Sequence, residues 1–129
     1  MSSSTSATET RVDRLNTYAD GWIRGDPETI LRATSRSFVL DDPNAGRIKR
    51  DEFDAYFAEL RRIVAEHGGA RPGEDFLELS EVVTHEADEL LTAWCWWSFP
   101  GTSIEGSGLI KVGADGVISE RLAYYTPLR

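Results

Sequence analysis

The chain contains little of what metal and redox proteins require. Among its 129 residues there is one cysteine, Cys95, which excludes an internal disulfide and a cysteine-based metal site. The two histidines, His67 and His85, are too few for a conventional transition-metal cluster. We therefore expect neither a bound metal nor a cofactor.

Long apolar runs and excess positive charge are also missing. No apolar run approaches the roughly 20 residues that a membrane helix needs. The chain carries 22 acidic against 14 basic residues, a net charge of −8 that would repel phosphates, so we expect no membrane and no nucleic-acid partner. Residues 1–10 have neither the basic start nor the apolar segment of a signal peptide. They predict a short disordered leader, and we expect the protein in the cytoplasm.

The remaining residues, 11–129, have the composition of one globular domain, with 40% hydrophobic residues in the whole chain. Apolar residues at helical spacing predict helices at 10–23 and 51–66. Asp26 and Pro27 favour a shorter helix to about residue 33, as an N-cap followed by a proline in the first turn. A short strand is predicted at 37–40, and turn residues follow it at 41–46.

The second half of the chain changes to strand patterns. Four runs rich in β-branched and aromatic residues, at 76–85, 90–99, 104–112 and 117–125, are separated by turn sequences. This order predicts an α+β fold, with three N-terminal helices packed on a strongly curved, mostly antiparallel sheet. Such a cone-shaped fold encloses a pocket, which is where small ligands bind.

The strand at 90–99 is apolar on both faces. Alternation places Cys95 and Trp97 on one face and Trp94 and Trp96 on the other. One face can line the pocket, and the other then needs a cover. We interpret Trp94 and Trp96 as a homodimer interface, with a simple core position as the alternative.

Two residues are candidates for chemistry. Asp42 closes the strand before Pro43, and a carboxylate entering an apolar cavity becomes a stronger base. Since neighbours in a strand point to opposite sides, either Asp41 or Asp42 faces the interior. Tyr18, beside the apolar stripe of the first helix, could donate a hydrogen bond to a developing oxyanion. The alternatives are an exposed turn-capping aspartate and a surface tyrosine.

Three short motifs carry a family resemblance. They are Tyr18-Ala-Asp-Gly-Trp-Ile-Arg-Gly25-Asp26, then Phe38-Val-Leu-Asp-Asp42-Pro43, and finally Gly113-Ala-Asp-Gly116-Val-Ile with Ala123-Tyr124-Tyr125. In this order the chain resembles the nuclear transport factor 2-like superfamily, in particular its ketosteroid isomerase and SnoaL-like polyketide cyclase branches. The resemblance covers about residues 12–127 and implies a single SnoaL-like domain.

The resemblance implies that Asp42 is a proton-transferring base and Tyr18 an oxyanion donor. It also places Arg121 in the pocket, whereas alternation opposite Leu122 favours the surface. In ketosteroid isomerases a protonated aspartate completes the oxyanion hole, and here that position corresponds to Gly108. The pocket expected on these grounds is lined by Trp22, Phe38, Phe57, Cys95, Trp97, Gly108 and Tyr125.

Three function classes follow. The favoured one is an isomerase- or cyclase-type enzyme that abstracts a proton next to a carbonyl of an apolar cyclic substrate, with Asp42 and Tyr18 as catalytic residues. A second is a non-catalytic protein that binds an apolar or weakly polar small molecule in the same pocket. A third is a protein-interaction module of the same fold.

Overall fold

Three helices pack on a six-stranded mixed sheet in the computed structural model, which describes residues 3–126. The elements in chain order are α1 (Ser3–Arg24), α2 (Pro27–Arg32), β1 (Thr34–Asp42), β2 (Gly46–Lys49), a 3₁₀ turn (Arg50–Glu52), α3 (Phe53–Glu66), β3 (Glu78–Ala87), β4 (Leu90–Ser98), β5 (Glu105–Gly113) and β6 (Gly116–Tyr124). This confirms the predicted α+β class, and the sheet is open rather than closed into a barrel.

The boundary between α1 and α2 follows the predicted local chemistry. Gly25 adopts a φ of 70°, a left-handed conformation in which glycine ends a helix at no steric cost. Asp26 then caps α2, because its carboxylate accepts hydrogen bonds from the backbone N–H and the hydroxyl of Thr29. Pro27 occupies the first turn, where it has no N–H to leave unpaired.

The sheet has the strand order β2-β1-β6-β5-β4-β3. All neighbours are antiparallel except β1 and β6, which run parallel. Register shifts interrupt the β1–β6, β3–β4 and β5–β6 pairs, and such irregularities bend and twist strands. The sheet can therefore curve around the helices and leave a concave face.

Two parts of the chain differ from the prediction. A disordered leader was expected at residues 1–10; residues 3–10 belong to α1, and residues 1 and 2 lie outside the described residues. Arg11 ties α1 to Glu86 of β3 through an ion pair at 2.5 Å. A helix anchored in this way propagates into neighbouring residues, because each added residue gains one hydrogen bond. Strand β2 was not predicted, since the expected turn ended at Gly46 and residues 47–49 were assigned to no element. Its short, largely exposed sequence carries no apolar alternation, and it is held by pairing with β1.

Aromatic rings fill the interior between the helices and the sheet. Trp22 of α1 contacts Phe53 and Phe57 of α3, and Phe57 in turn contacts Phe76. Phe38 of β1 packs edge-on to Phe53 from the sheet side. This cluster forms a solid core at one end of the sheet and leaves the other end for a cavity. No helix of the described chain is long and apolar enough to cross a membrane.

Candidate functional site

A cavity of about 290 Å³ lies between α1 and the concave face of the sheet. Helix α1 contributes Tyr18 and Trp22 to its wall, and the central strands contribute Cys95, Trp97 and Glu120. Aliphatic side chains, among them Leu15, Val82 and Ile110, make up much of the remainder. The cavity volume is close to the lower end of the range of about 300–1,000 Å³ usual for small-molecule sites.

Glu120 is the one carboxylic acid among the described residues of the cavity wall. Strand β6 turns the Glu120 side chain inward together with Leu122 and Tyr124, and Glu120 is only 4% exposed. The Tyr18 hydroxyl donates a hydrogen bond to Glu120 Oε1 at 2.5 Å. A carboxyl group and a phenol are thus held in contact inside an apolar enclosure.

Gly108 of the adjacent strand β5 makes room for this carboxyl group. A Cβ at position 108 would lie 2.3 Å from Glu120 Oε2 and 3.3 Å from Cys95 Sγ. Strand β5 pairs Ile110 with Glu120, so the acid reaches diagonally across to Gly108. A side chain at position 108 would therefore collide with the Glu120 carboxyl.

Burial changes the acidity of both partners. It raises the pKa of Glu120 from 4.5 to about 7, although the hydrogen bond from Tyr18 opposes the rise. Burial and the neighbouring Glu120 charge raise the pKa of Tyr18 well above its ordinary value. The Trp22 side chain, next to the Tyr18 hydroxyl, opposes that rise. Near neutral pH, Glu120 can therefore both accept and release a proton.

Asp42 lies in a separate hydrogen-bond network. It is 3% exposed, while its neighbour Asp41 points outward and pairs with Arg47 at 2.9 Å. Asp42 Oδ2 accepts hydrogen bonds from Tyr56 Oη at 2.6 Å and Tyr124 Oη at 3.0 Å, and its Oδ1 accepts from the Asn44 backbone N–H. Asp42 faces the interior but is outside the cavity wall, behind the Tyr124 ring that belongs to it.

The other sequence candidates divide into two groups. Trp22, Cys95 and Trp97 line the cavity as expected. Phe38 and Phe57 lie instead in the aromatic core, where both rings pack against Phe53 of α3. Gly108, expected to line the pocket, lies beneath the Glu120 carboxyl and is not part of the cavity wall. Tyr125 is 57% exposed beside Trp96 in a shallow outer depression, since strand β6 turns it away from the cavity.

Glu120 is the residue that the sequence interpretation missed. The signal was present, because the alternation that places Arg121 outside places Glu120 on the same face as Leu122 and Tyr124. Arg121 is exposed on the outer face near Asp41. Strand alternation indicated this position, whereas the family resemblance implied one in the pocket. A charged residue at an inward strand position is rare unless it has a partner, and that partner is Tyr18.

The histidines and Cys95 show no sign of chemistry. His67 Nδ1 contacts the Ile63 carbonyl oxygen at the end of α3, and His85 is exposed on β3. Burial raises the pKa of the Cys95 thiol to about 12, which makes it a poor nucleophile. Over the described ranges, no group of three or more His, Cys, Asp or Glu side chains is placed to hold a metal ion.

Helices on a curved open sheet, with a mostly apolar cavity and one acid in its wall, describe an α+β cone. The solved structures that resemble the chain have the same architecture. An NTF2-like protein from Anabaena variabilis aligns with a TM-score of 0.67 at 11% identity, covering 98% of this chain and 95% of that one. A SnoaL-like protein of unknown function from Burkholderia thailandensis has a TM-score of 0.61 at 15% identity, with 92% and 97% covered.

A protein from Xanthomonas campestris pv. campestris, provisionally named a polyketide cyclase, has a TM-score of 0.61 at 14% identity, with 95% and 93% covered. No protein-family model matches the chain, and no curated protein matches it. The chain therefore has the NTF2-like, SnoaL-like fold, which confirms the fold expected from the three motifs.

Proposed function

We propose that the protein is an enzyme that transfers a proton at a carbon next to a carbonyl group of a small, apolar cyclic molecule, with Glu120 as the base. The observation that carries this proposal is an ionisable carboxyl group, with a pKa of about 7, in the wall of an apolar cavity. A general base works best when its pKa is near the operating pH. Glu120 thus takes the role that the sequence suggested for Asp42.

In the proposed reaction the Glu120 carboxylate removes a proton from the α-carbon. The C–H bond breaks, its electron pair forms an enolate, and a new O–H bond forms on Glu120. Once Glu120 is neutral it no longer holds the Tyr18 hydroxyl as a charged acceptor, so Tyr18 can donate to the enolate oxygen. If the ketone has a β,γ double bond, return of the proton from Glu120 to the γ-carbon shifts the double bond into conjugation. If the enolate carbon instead attacks a second carbonyl, a C–C bond forms, the C=O π bond breaks, and the resulting alkoxide takes the proton from Glu120.

The surroundings of Glu120 suit such a substrate. The wall around it is mostly aliphatic and aromatic, which favours a neutral ring system over a charged metabolite. The polyketide cyclase name carried by the neighbours from Xanthomonas campestris and Sinorhizobium meliloti agrees with carbonyl chemistry on this fold.

Hydrogen–deuterium exchange at the α-carbon tests the proposal. A panel of cyclic ketones is incubated in heavy water with the wild type, Glu120→Gln and Asp42→Asn, and exchange is followed by proton NMR. We expect exchange with the wild type to rise with pH through about 7 and to fall at least about 100-fold in Glu120→Gln. Asp42→Asn is the matched control, since it neutralises a buried acid outside the cavity wall, and it should retain most of the exchange.

Equal exchange by wild type and Glu120→Gln would contradict the assignment of Glu120. Exchange that decreases as the pH rises would also contradict it, because a base must be ionised to act. A protein that only binds its ligand is the second candidate. This candidate is supported by the Tyr18 and Tyr124 hydroxyls, because each already donates its hydrogen to a carboxylate of the protein and so is not held ready for a substrate oxygen. It predicts no exchange in any variant and unchanged affinity in Glu120→Gln.

We further propose that a second copy of the chain covers the outer face of the sheet. Trp94, 43% exposed, lies in register with Val83, and Trp96 lies in register with Glu81 on the edge strand. Arg121 occupies the opposite side of this patch. A two-fold axis through the tryptophans would bring the acidic side of one copy onto the basic side of the other, which suits an isologous dimer.

A further inference from the structure

The polar groups that line the inner part of the cavity are hydrogen-bond acceptors. The Tyr18 hydroxyl donates its hydrogen to Glu120, and the Tyr124 hydroxyl donates its hydrogen to Asp42. A hydroxyl group has one hydrogen to donate, so both oxygens are left with lone pairs only. The two phenols of the wall therefore offer a ligand acceptors and no donor.

The other polar side chains of the wall do not change this balance. The Cys95 thiol is directed to a backbone carbonyl oxygen at 3.8 Å. The indole nitrogens of Trp22 and Trp97 have almost no accessible surface, so they present no N–H to a ligand. Asn16 and Thr84 are exposed and therefore lie at the mouth of the cavity. A ligand inside the cavity consequently meets acceptors.

Glu120 has one oxygen atom without a hydrogen bond. Its Oε1 accepts the Tyr18 hydroxyl, whereas no described residue donates to Oε2. Glu120 is 4% exposed, yet Oε2 retains some accessible surface, unlike the two indole nitrogens. Since Glu120 belongs to the cavity wall, this surface borders the cavity. Buried polar atoms are nearly always hydrogen-bonded, so Oε2 is placed to accept from a ligand.

The Glu120 carboxyl group also has no basic partner. The described part of the wall contains no lysine, arginine or histidine, and only burial and the Tyr18 hydrogen bond act on the pKa of Glu120. A buried charge is costly unless an opposite charge lies beside it. The net charge of −8 further attracts cations to the protein. A ligand that carries a positive charge would pair with this carboxylate.

We propose that the cavity binds a hydrophobic primary or secondary amine as its ammonium ion, with an N–H donated to Glu120 Oε2. An ammonium group has donors and no acceptor, which complements a wall of acceptors. Its pair with Glu120 is neutral overall, so the apolar wall encloses no unpaired charge. The wall also contains aromatic rings, which attract cations: Tyr18, Trp22, Trp97, Phe99 and Tyr124. This proposal goes beyond the proposed function, because it requires no turnover.

Three indane compounds of nearly equal size test the proposal. 2-Aminoindane carries an ammonium group, 2-indanol has a neutral hydroxyl donor, and indane has no polar group. Calorimetric titrations are made above the Glu120 pKa of about 7, where the carboxylate is ionised. We expect 2-aminoindane to bind at least about tenfold more tightly than either neutral compound.

Two variants distinguish the Glu120 carboxylate from the overall negative charge of the protein. Glu120→Gln keeps an acceptor for Tyr18 but removes the charge, and it should weaken 2-aminoindane binding about 10- to 100-fold. Indane should bind this variant as it binds the wild type. Asp42→Asn is the matched control, because it neutralises one buried acid outside the cavity wall, and it should retain the preference for 2-aminoindane.

The tryptophan signals show where the amine binds. The indole N–H groups of the four tryptophans are observed in a proton–nitrogen NMR spectrum. 2-Aminoindane should shift the signal of Trp22, which lines the cavity, and leave that of Trp96 unchanged. The competing site is the shallow outer depression beside Trp96, where Glu81 and Glu105 supply acids. This measurement on the wild type does not depend on whether a variant folds.

Equal affinities for 2-aminoindane and 2-indanol would overturn the proposal, because a neutral donor would then be sufficient. An unchanged affinity in Glu120→Gln, an equal loss in Asp42→Asn, or a shift of Trp96 without one of Trp22 would overturn it too. So would a folded protein that binds no 2-aminoindane. Failure of the proposed function is read separately, from ketone exchange. A protein that binds the amine on Glu120 but exchanges no ketone proton would keep this proposal and remove the enzymatic one.

Discussion

Burial of Glu120 makes the stability of the protein depend on pH in an unusual direction. The pKa of Glu120 is about 7 in the folded protein and has its ordinary value of 4.5 in the unfolded chain. Since each pKa unit corresponds to about 1.4 kcal/mol, ionising this group costs the folded state about 3 kcal/mol more than the unfolded state. The folded state binds more protons across this window, so stability is complete below about pH 4.5 and is lost as the pH rises through about 7.

The substitution Glu120→Gln removes this dependence while retaining an acceptor for Tyr18. Urea unfolding of both proteins, measured between about pH 4.5 and pH 8, gives the free energy of unfolding at each pH. Relative to the variant, the wild type should lose about 3 kcal/mol over this range. The comparison cancels the other titrating groups. If the free energies of unfolding of the two proteins change with pH in parallel, Glu120 does not have a raised pKa. If the wild type instead gains stability relative to the variant as the pH rises, burial does not disfavour the charged form of Glu120.

Three further predictions concern the surroundings of this acid and the outer face. Gly108→Ala should displace the Glu120 carboxyl, because the new Cβ would lie 2.3 Å from Oε2. The variant should therefore show slower α-proton exchange and a lower melting temperature. Wild-type values for both would contradict the packing described. Tyr18→Phe removes a hydrogen bond that lowers the pKa of Glu120, so the midpoint of the exchange–pH profile should move above about 7. A midpoint below that of the wild type would contradict this effect of Tyr18 on Glu120. Trp94→Glu combined with Trp96→Glu should sediment as a monomer; a double variant that still dimerises would rule out this interface.

The fold was predictable from the sequence because its signals are local and repeated. Alternating apolar residues, the Asp26–Pro27 start of α2 and the turn at Gly116 each specify one element, and together they specify the order of the elements. Strand β2 was missed since it has no apolar face of its own and depends on pairing with β1.

The site was predictable only in part. Tyr18, Trp22 and Trp97 were found from helix and strand periodicity, which determines the face on which a side chain lies. Periodicity does not determine which inward side chains border the cavity. Phe57, for example, also points inward but lies in the packed core. The pairing of Glu120 with Tyr18 joins residues 102 positions apart, a contact that depends on how α1 crosses the sheet.

The carboxyl group above Gly108 shows that one strand can place an acid over a position of its neighbour that has no side chain. Glu120 reaches over a position that has no side chain, so its oxygen occupies the place where a side chain of β5 would otherwise begin. A residue-by-residue alignment would record Gly108 as the loss of an acid, although the cavity contains one. Proteins with this fold are therefore better compared by where their oxygen atoms lie in the cavity than by which column of an alignment carries an aspartate.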